Sequence, residues 1–493
     1  MTEEKKKPGT INRIFGWIGL GLLVALILGA LIYDAPWKAL ALLLILLAVH
    51  TILPKAAKKW FWLSVCGVLM GLLVWVFLPD RNDIWRPYTF DDELAAHEAK
   101  YAIPDEENAA TIYNKLLSDF NPTEWRLRFL SGETLKLTLS EPWLSQDYPE
   151  LTQWLSRNEE KITALPEACK IKKCRFPSNI KLARTDKLEI DRYSALRSWS
   201  AWFLLSANND IAKGRPDSAV SKYIYALQIA DHLHQQQRIT DFLIGFGIEN
   251  PVIPSLNRFV VEDKPTQQQL QFISNSLRNL DNNWRCDFLA CVEYEKLFIK
   301  NTFCGLAYQI NPQGQVRLSR DPAAAIWGYS RKRALAETYW QRESMKAFTI
   351  LAWFFLPATP EKAGEMIDEI YEKCLAMAEP DFAWDKEDII SMPSLELNCR
   401  FLVMSQTNKL TRHNGRFHDI YLRRLAMRRG TQLLVAIKRH SIENGCWPSS
   451  LDAIKSDAPA ESFIDPVTGK EFKYETHGER FLLYGETVNV WPK

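Results

Sequence analysis

The sequence has little net charge and lacks the common catalytic motifs. Its 61 lysines and arginines nearly balance 59 acidic residues, which leaves a formal charge of +2. Proteins that hold nucleic acid through phosphate contacts need a clear basic excess, so nucleic acid is excluded as the main partner. No H-E-x-x-H, G-x-S-x-G, phosphate-binding P-loop or G-x-G-x-x-G motif is present. We therefore assign no catalytic residue, no metal ligand and no cofactor from the sequence.

Cysteine pairs at zinc-site spacing are also missing. None of the nine cysteines forms a C-x-x-C pair, and one of them, Cys66, lies inside an apolar segment. The remaining eight are an even number, as a disulfide-forming compartment would favour. Cys169 and Cys174 flank a short basic stretch, and we predict that they are the pair most suited to a bond. Free, buried thiols are the alternative.

Long apolar runs are confined to the first 78 residues. They are Ile14–Tyr33, Trp37–Leu53 and Trp60–Leu78. A bilayer core of about 30 Å needs roughly 20 apolar residues in a helix, so the second run is marginal and the other two are sufficient. The first run is too long for a signal peptide and no small-residue cleavage site follows it. We predict three transmembrane helices.

Basic residues in the short loops predict the orientation of this anchor. The tail before the first span and the loop Pro54–Lys59 are basic, whereas Asp34-Ala35-Pro36 carries no lysine or arginine. Basic loops stay in the cytoplasm. The prediction is a multi-pass protein of the bacterial inner (cytoplasmic) membrane, in contact with membrane lipids, with an extracytoplasmic body. Residues 1–13 form a cytoplasmic tail, 14–78 the anchor, 79–440 the body and 441–493 a small C-terminal module.

The spacing of apolar residues in the body predicts a mostly α fold. Periods of three to four residues indicate helices at 104–116, 148–168, 191–235, 240–260, 266–310, 323–356, 360–378 and 416–440. Residues 124–139 alternate and predict a short β-hairpin. The apolar run 347–358 is too short to span a bilayer. It is interpreted as a core helix or as a segment that touches the membrane.

Residues 191–235 resemble a helical hairpin of tetratricopeptide repeats. Ala219, Tyr223 and Ala226 follow the turn at Gly214 with the spacing of the second repeat helix. The small alanines predict close helix packing, and Lys222 is predicted to lie on the opposite face. Only one good copy is present, so a solitary hairpin in an all-α domain is the alternative.

Charge is segregated late in the chain. Residues 361–396 hold eleven acids against three lysines, and residues 400–439 hold ten basic residues against Asp419 alone. The basic stretch includes Arg412, Arg416, Arg423, Arg424, Arg428 and Arg429. Two helices that face each other or lie in solvent are one interpretation. Contact with anionic lipid headgroups or an envelope polymer is the other.

The C-terminal tail predicts a β-hairpin and carries a resemblance. Gly445-Cys446-Trp447-Pro448 precedes the turn Asp465-Pro466-Val467-Thr468-Gly469, and alternating strands follow around His477-Gly478. The tail, with Pro104–Tyr113 and Pro142–Asn158, resembles large uncharacterised bacterial membrane-anchored proteins with helical bodies. It also resembles the end of type II secretion pseudopilins, near a calcium site. Pseudopilins have one span and an acid-rich loop that holds calcium, whereas this chain has three predicted spans and lacks such a loop. Asp465 is therefore interpreted as a turn residue rather than a calcium ligand.

Two pairs of polar residues are candidate chemical sites. His232 and His234 diverge on a helix and cannot easily share a metal ion, so a solvated helix end is expected. Glu293 and Glu295 diverge likewise, although Glu293 could meet a carboxylate from a neighbouring helix. The sequence therefore favours a non-enzymatic scaffold or adaptor at the cell envelope, with a protein or an anionic envelope polymer as partner. An envelope hydrolase with carboxylates in a helical cleft is the alternative.

Overall fold

The structure, a computed structural model, describes residues 85–176, 187–280, 284–318, 359–375, 397–478 and 480–492. Within these ranges, the structure describes the backbone but not the side chains of residues 187–189, 284–285, 318, 370, 373–374 and 397–416. The predicted anchor at 14–78 and the apolar run 347–358 lie outside the described residues. Among the helices that are described, none combines the length and the apolar content that a bilayer crossing requires.

The described part of the chain is mostly helical, as predicted. The helices, in chain order, are α1 Asp91–Lys100, α2 Ala110–Ser118, α3 Gly132–Ser140, α4 Pro149–Glu159, α5 Leu165–Lys170, α6 Lys187–Ala212, α7 Pro216–His234, α8 Ile239–Glu262, α9 Gln267–Arg278, α10 Trp284–Ala307, α11 Pro360–Leu375 and α12 Leu397–Asn444. The strands are β1 Arg86–Pro87, β2 Tyr308–Ile310, β3 Val316–Leu318, β4 Lys473–His477, β5 Arg480–Tyr484 and β6 Asn489–Trp491.

The chain divides into two compact units. The first contains Met1–Glu93, Lys296–Ala376 and Ala383–Thr411, and the second contains Leu94–Glu295, Met377–Phe382 and Arg412–Lys493. In the first unit, β2 pairs antiparallel with both β1 and β3. This small sheet was not predicted from the sequence.

A buried lysine organises the described part of the first unit. Lys300 is 2% exposed, and its Nζ lies 2.8 Å from Glu93 Oε1 and 3.0 Å from Asp368 Oδ2. The ammonium also lies 4.4 Å from the centroid of the Phe90 ring. Two carboxylates and an aromatic face thus replace the water that a buried lysine gives up.

The helices α6 and α7 form the predicted helical hairpin in the second unit. Gly214 adopts φ 70° at the turn, a conformation that favours glycine, and Pro216 opens α7 where its missing N–H costs nothing. Ala219, Tyr223 and Ala226 are fully buried, as expected. Because α7 packs against both α6 and α8, its small residues face two neighbours rather than one.

The contacts of Lys222 contradict the helix face predicted for it. Its Nζ donates to Asp210 Oδ2 at 2.6 Å and to Ser206 Oγ at 2.7 Å, and only 20% of the side chain is exposed. Asp210 is buried and also accepts from Ser218 Oγ at 2.6 Å. Lys222 therefore joins α7 to α6 through a buried carboxylate, and its predicted position on the face opposite Ala226 is wrong.

The hairpin predicted at 124–139 is also wrong, because α3 occupies its second half. Ser131 caps the helix, accepting from Thr134 N at 3.0 Å. Thr138 is buried, and its carbonyl accepts from Asn208 Nδ2 of α6 at 2.9 Å. The alternation of leucine with polar residues is typical of a strand, but a helix cap and tertiary contacts decide the local structure.

The C-terminal hairpin is confirmed and extended by a third strand. Strand β4 pairs with β5 from Lys473↔Tyr484 to His477↔Arg480, and β5 also pairs with β6. Asp465 is buried and acts in a turn: its Oδ1 accepts from Val467 N at 2.9 Å. This confirms the turn interpretation of that residue.

The cysteine pairing predicted from the sequence does not form. Cys169 and Cys174 are buried free thiols, and burial raises the pKa of Cys169 to about 12. The backbone N–H of Cys174 donates a hydrogen bond to Gln235 Oε1 at 2.8 Å. Both side chains lie in the main hydrophobic core, so they behave as small apolar residues.

Candidate functional site

An open groove lies on the second unit between two helices and the last strand. We call it the α8–α12 groove, and its volume is about 270 Å³. Its walls come from α8, α12 and the segment that includes β6: Asn250, Pro254, Asn257, Ile420, Arg423, Arg424, Met427, Val488, Asn489, Val490 and Trp491. It combines apolar surface with a basic edge.

Strand β6 is held in place by a glycine and an asparagine. A Cβ at Gly430 would lie 2.4 Å from Val490 Cγ2, so only glycine lets the strand approach α12 this closely. Asn257 Nδ2 donates to Val490 O at 3.4 Å, and Thr431 Oγ1 donates to Asn257 Oδ1 at 2.8 Å. The groove therefore has a fixed wall rather than a loose tail.

Two arginines give the groove its charge. Arg423 is exposed, whereas Arg424 is half-buried and donates to Asn250 Oδ1 at 2.9 Å. Burial lowers the pKa of Arg424. Of the described residues that line the groove, none is acidic. Partly accessible Met427 and Trp491 add apolar surface beside the charges. This combination suits a ligand that carries both carboxylates and apolar side chains.

A buried ion pair underlies this part of the structure. The Arg428 guanidinium donates to Glu249 Oε1 and to Leu280 O, and Arg428 Nη2 lies 3.3 Å from His234 Nδ1. Glu249 is fully buried and Arg428 is 7% exposed. Burial by itself raises the pKa of Glu249, but Arg428 and His234 lower it, and the net pKa lies below the usual value. The pair therefore joins α8 and α12 as charged partners.

The expected solvated histidines are both buried, which corrects the sequence interpretation. His232 Nδ1 lies 2.9 Å from Tyr113 Oη, and its Nε2 lies 2.8 Å from Ile171 O. Because a carbonyl can only accept, Nε2 donates and Nδ1 accepts from the tyrosine. Burial lowers the pKa of both His232 and His234 to about 4. The two side chains have different partners, in agreement with their predicted divergence.

Glu293 meets a cation rather than a second carboxylate. Lys100 Nζ lies 2.7 Å from Glu293 Oε2, and the Tyr101 hydroxyl donates to the same oxygen at 2.8 Å. Partial burial raises the pKa of Glu293, but these two hydrogen bonds lower it, and the net pKa is lowered. A general acid needs the opposite shift.

Glu295, Asp231 and Asp241 all have a pKa raised in the direction expected of a proton donor, and the sequence gives no sign of this at Glu295. Burial raises the pKa of Glu295 to about 7, and the charge of Arg238 opposes that rise. Asp241, fully buried, adds a further raising effect and pairs with Arg192 at 3.6 Å. No sequence pattern marks this position, because its environment comes from other elements.

The basic stretch of α12 is only partly directed to solvent. Arg428 is buried, Arg424 binds Asn250, and Arg429 Nη1 donates to Ile464 O at 3.1 Å. The side chains of Arg412 and Arg416 and most of the acidic stretch 361–396 lie outside the described residues. Within the part that is described, the arginines serve both internal contacts and the α8–α12 groove.

Comparison of the chain with family models, with curated proteins and with solved structures finds no match.

Proposed function

We propose that the protein is a membrane-anchored adaptor whose body binds an acidic segment of a partner protein in the α8–α12 groove. The observation that carries this proposal is the groove itself, which places Arg423 and Arg424 beside Met427 and Trp491. Arginine and aromatic residues are enriched at protein interfaces. A tetratricopeptide-like hairpin, α6 with α7, supports the groove from within the same unit.

The anchor and its orientation belong to the same proposal. The three apolar segments support a position in the inner membrane of a bacterium, and the basic loops support a body that lies outside the cytoplasm. A reporter enzyme that works only outside the cytoplasm, fused after Asp80, should be active. Activity of a cytoplasm-only reporter at that junction would contradict the orientation.

A peptide-binding experiment tests the groove. The probe is a fluorescent 12-residue peptide that alternates glutamate with phenylalanine and leucine, and its control replaces each glutamate with lysine. Anisotropy with the detergent-solubilised full chain should show saturable binding of the acidic peptide only. Rising salt should weaken this binding because the arginines lie near solvent.

Matched arginine variants locate the binding. Arg423→Gln should weaken the acidic peptide by about tenfold, which corresponds to about 1.4 kcal/mol. Arg439→Gln, on the same helix about four turns away, should leave the affinity unchanged. Equal affinity of both peptides, or equal losses in both variants, would refute binding in the groove. Loss of peptide binding together with binding of an anionic polysaccharide would assign the groove to an envelope polymer instead.

The hydrolase alternative is supported by Glu295 and not by Glu293. A carboxyl whose pKa is raised to about 7 can donate a proton at neutral pH. If the chain hydrolyses an envelope polysaccharide, the purified protein should release reducing ends, and Glu295→Gln should abolish the release. Unchanged release in that variant, or none from the wild type, would leave the adaptor as the better account.

A further inference from the structure

A second open pocket lies on the second unit, and it shares no lining residue with the α8–α12 groove. Its walls come from the end of α9, from α12 and from the C-terminal segment 458–461, and its volume is about 340 Å³. We call it the Arg278–Glu461 pocket after two of the residues that line it. Small-molecule sites have volumes of about 300–1,000 Å³, so this pocket suits a small ligand.

Contacts within the protein fix the walls of this pocket. Gln432 Oε1 of α12 accepts from the Ser462 hydroxyl, and Arg429 Nη1 donates to Ile464 O at 3.1 Å. Leu280 O, just after α9, accepts from a buried arginine of α12. The pocket is therefore formed before a ligand arrives, and little ordering is required at binding.

Three polar side chains that line the pocket have binding capacity left. The side chains of Arg278 and Glu461 are exposed, and neither makes a hydrogen bond or an ion pair with any described residue. They carry opposite charges and line one pocket, yet they do not pair with each other. Gln432 Nε2 also has no acceptor among the described residues, and because Ser462 holds Oε1, the amide keeps Nε2 free to donate.

The other charges at the pocket are held by the protein itself. Buried Arg428 is paired with Glu249, so its charge is offset. The Arg429 guanidinium is bound to a carbonyl, and its charge adds to that of Arg278. Among the described residues that line the pocket, Glu461 is the only acid. The pocket thus offers cationic groups together with one carboxylate.

Apolar residues complete the lining. They are the buried Leu277, Leu280 and Ala458 and the half-buried Leu425 and Pro459. A simple anion would be attracted by the arginines but repelled by the glutamate, and a simple cation would meet the reverse. A ligand that carries both charges and an apolar group matches all the features of this lining.

We propose that the Arg278–Glu461 pocket binds a free amino acid with an apolar side chain. Arg278 binds the α-carboxylate, Glu461 binds the α-ammonium group, and Gln432 Nε2 supplies a further donor to the carboxylate. The apolar side chain lies against the leucines of α9 and α12. This binding is independent of whether the α8–α12 groove takes a protein partner.

Calorimetric titration of the detergent-solubilised full chain tests this proposal with L-leucine as the probe. Leucine should bind saturably. N-acetyl-leucine lacks the ammonium group and leucinamide lacks the carboxylate, so each should bind about tenfold more weakly. Glycine has both charges but no apolar side chain, and it should also bind more weakly than leucine. Absence of saturable leucine binding, or equal affinity for leucine and either capped form, would overturn the proposal.

Two variants assign the charges of the ligand to their partners. Arg278→Gln should weaken leucine binding by about tenfold but leave leucinamide unchanged, because leucinamide has no carboxylate to lose. Glu461→Gln should weaken leucine binding as well, but leave N-acetyl-leucine unchanged. Both side chains are exposed, so the melting temperature without ligand should stay that of the wild type.

Matched controls lie at exposed positions outside the pocket. Arg157→Gln on α4 and Glu133→Gln on α3 should bind leucine as the wild type does. Leucine affinity that is unchanged in both pocket variants would show that the amino acid binds elsewhere. An equal loss in the pocket variants and the controls would also refute binding in the pocket.

Discussion

Glu249→Gln tests the buried pair that joins α8 and α12. The change keeps the shape of the side chain but leaves the Arg428 guanidinium, 7% exposed, without its charged partner. Breaking a buried ion pair in this way costs about 3–5 kcal/mol, which is a large part of the 5–15 kcal/mol that stabilises a typical domain. Urea unfolding of the full chain in detergent, followed by circular dichroism, measures the loss as a lower midpoint.

The double variant Glu249→Leu/Arg428→Met separates pairing from burial. It removes both charges, so its cost should be well below the sum of the two single changes, although Leu280 O also loses its donor. Glu486→Gln is the matched acid-to-amide control, since Glu486 pairs with Lys470 at the exposed surface, and it should leave the midpoint unchanged. A loss under about 1 kcal/mol for Glu249→Gln, or strict additivity in the double variant, would refute the reasoning.

Three further predictions follow from the second unit. Lys222→Ala should lower the free energy of unfolding by about 1.5–3 kcal/mol, because it removes a charge-assisted hydrogen bond to buried Asp210. A loss below about 0.5 kcal/mol would show that this bond does not stabilise the fold. Ala226→Leu should overpack the contact of α7 with its neighbours and cost about 1–3 kcal/mol, whereas a melt equal to that of the wild type would show free space there. The free energy of unfolding should fall as pH drops from about 6.5 to 4, because the folded pKa of His232 is about 4 and the unfolded chain takes up the proton first. His232→Gln should flatten this dependence on pH. An unchanged dependence would contradict a buried, neutral His232.

Local patterns predict the helical hairpin and the C-terminal strands well. The period of apolar residues in α6 and α7, with Gly214 and Pro216 between them, defines both helices without tertiary information. Asp465 and Gly469 likewise form a turn through contacts within five residues. Such features depend on neighbours in the chain and are therefore visible in the sequence.

The errors arise where distant residues decide the environment. His232 occupies a helix end, but Ile171 O from another segment covers it, so it is buried rather than solvated. Lys222 is an exception: residues four apart share a helix face, so its spacing from Ala226 already puts it on the packed side of α7, where it binds Asp210. The α8–α12 groove joins positions as far apart as Asn250 and Trp491. No spacing rule connects those residues.

Site-specific photo-crosslinking in the native membrane tests the adaptor most directly. A photoreactive residue replaces exposed Asn489 in the α8–α12 groove, and a control places it at exposed Lys473 on β4, outside the groove. The account predicts a discrete protein adduct at Asn489 only, mapped to an acidic segment of the partner and suppressed by the acidic peptide. The same adducts at both positions, or adducts of lipid or polysaccharide alone at Asn489, would contradict it.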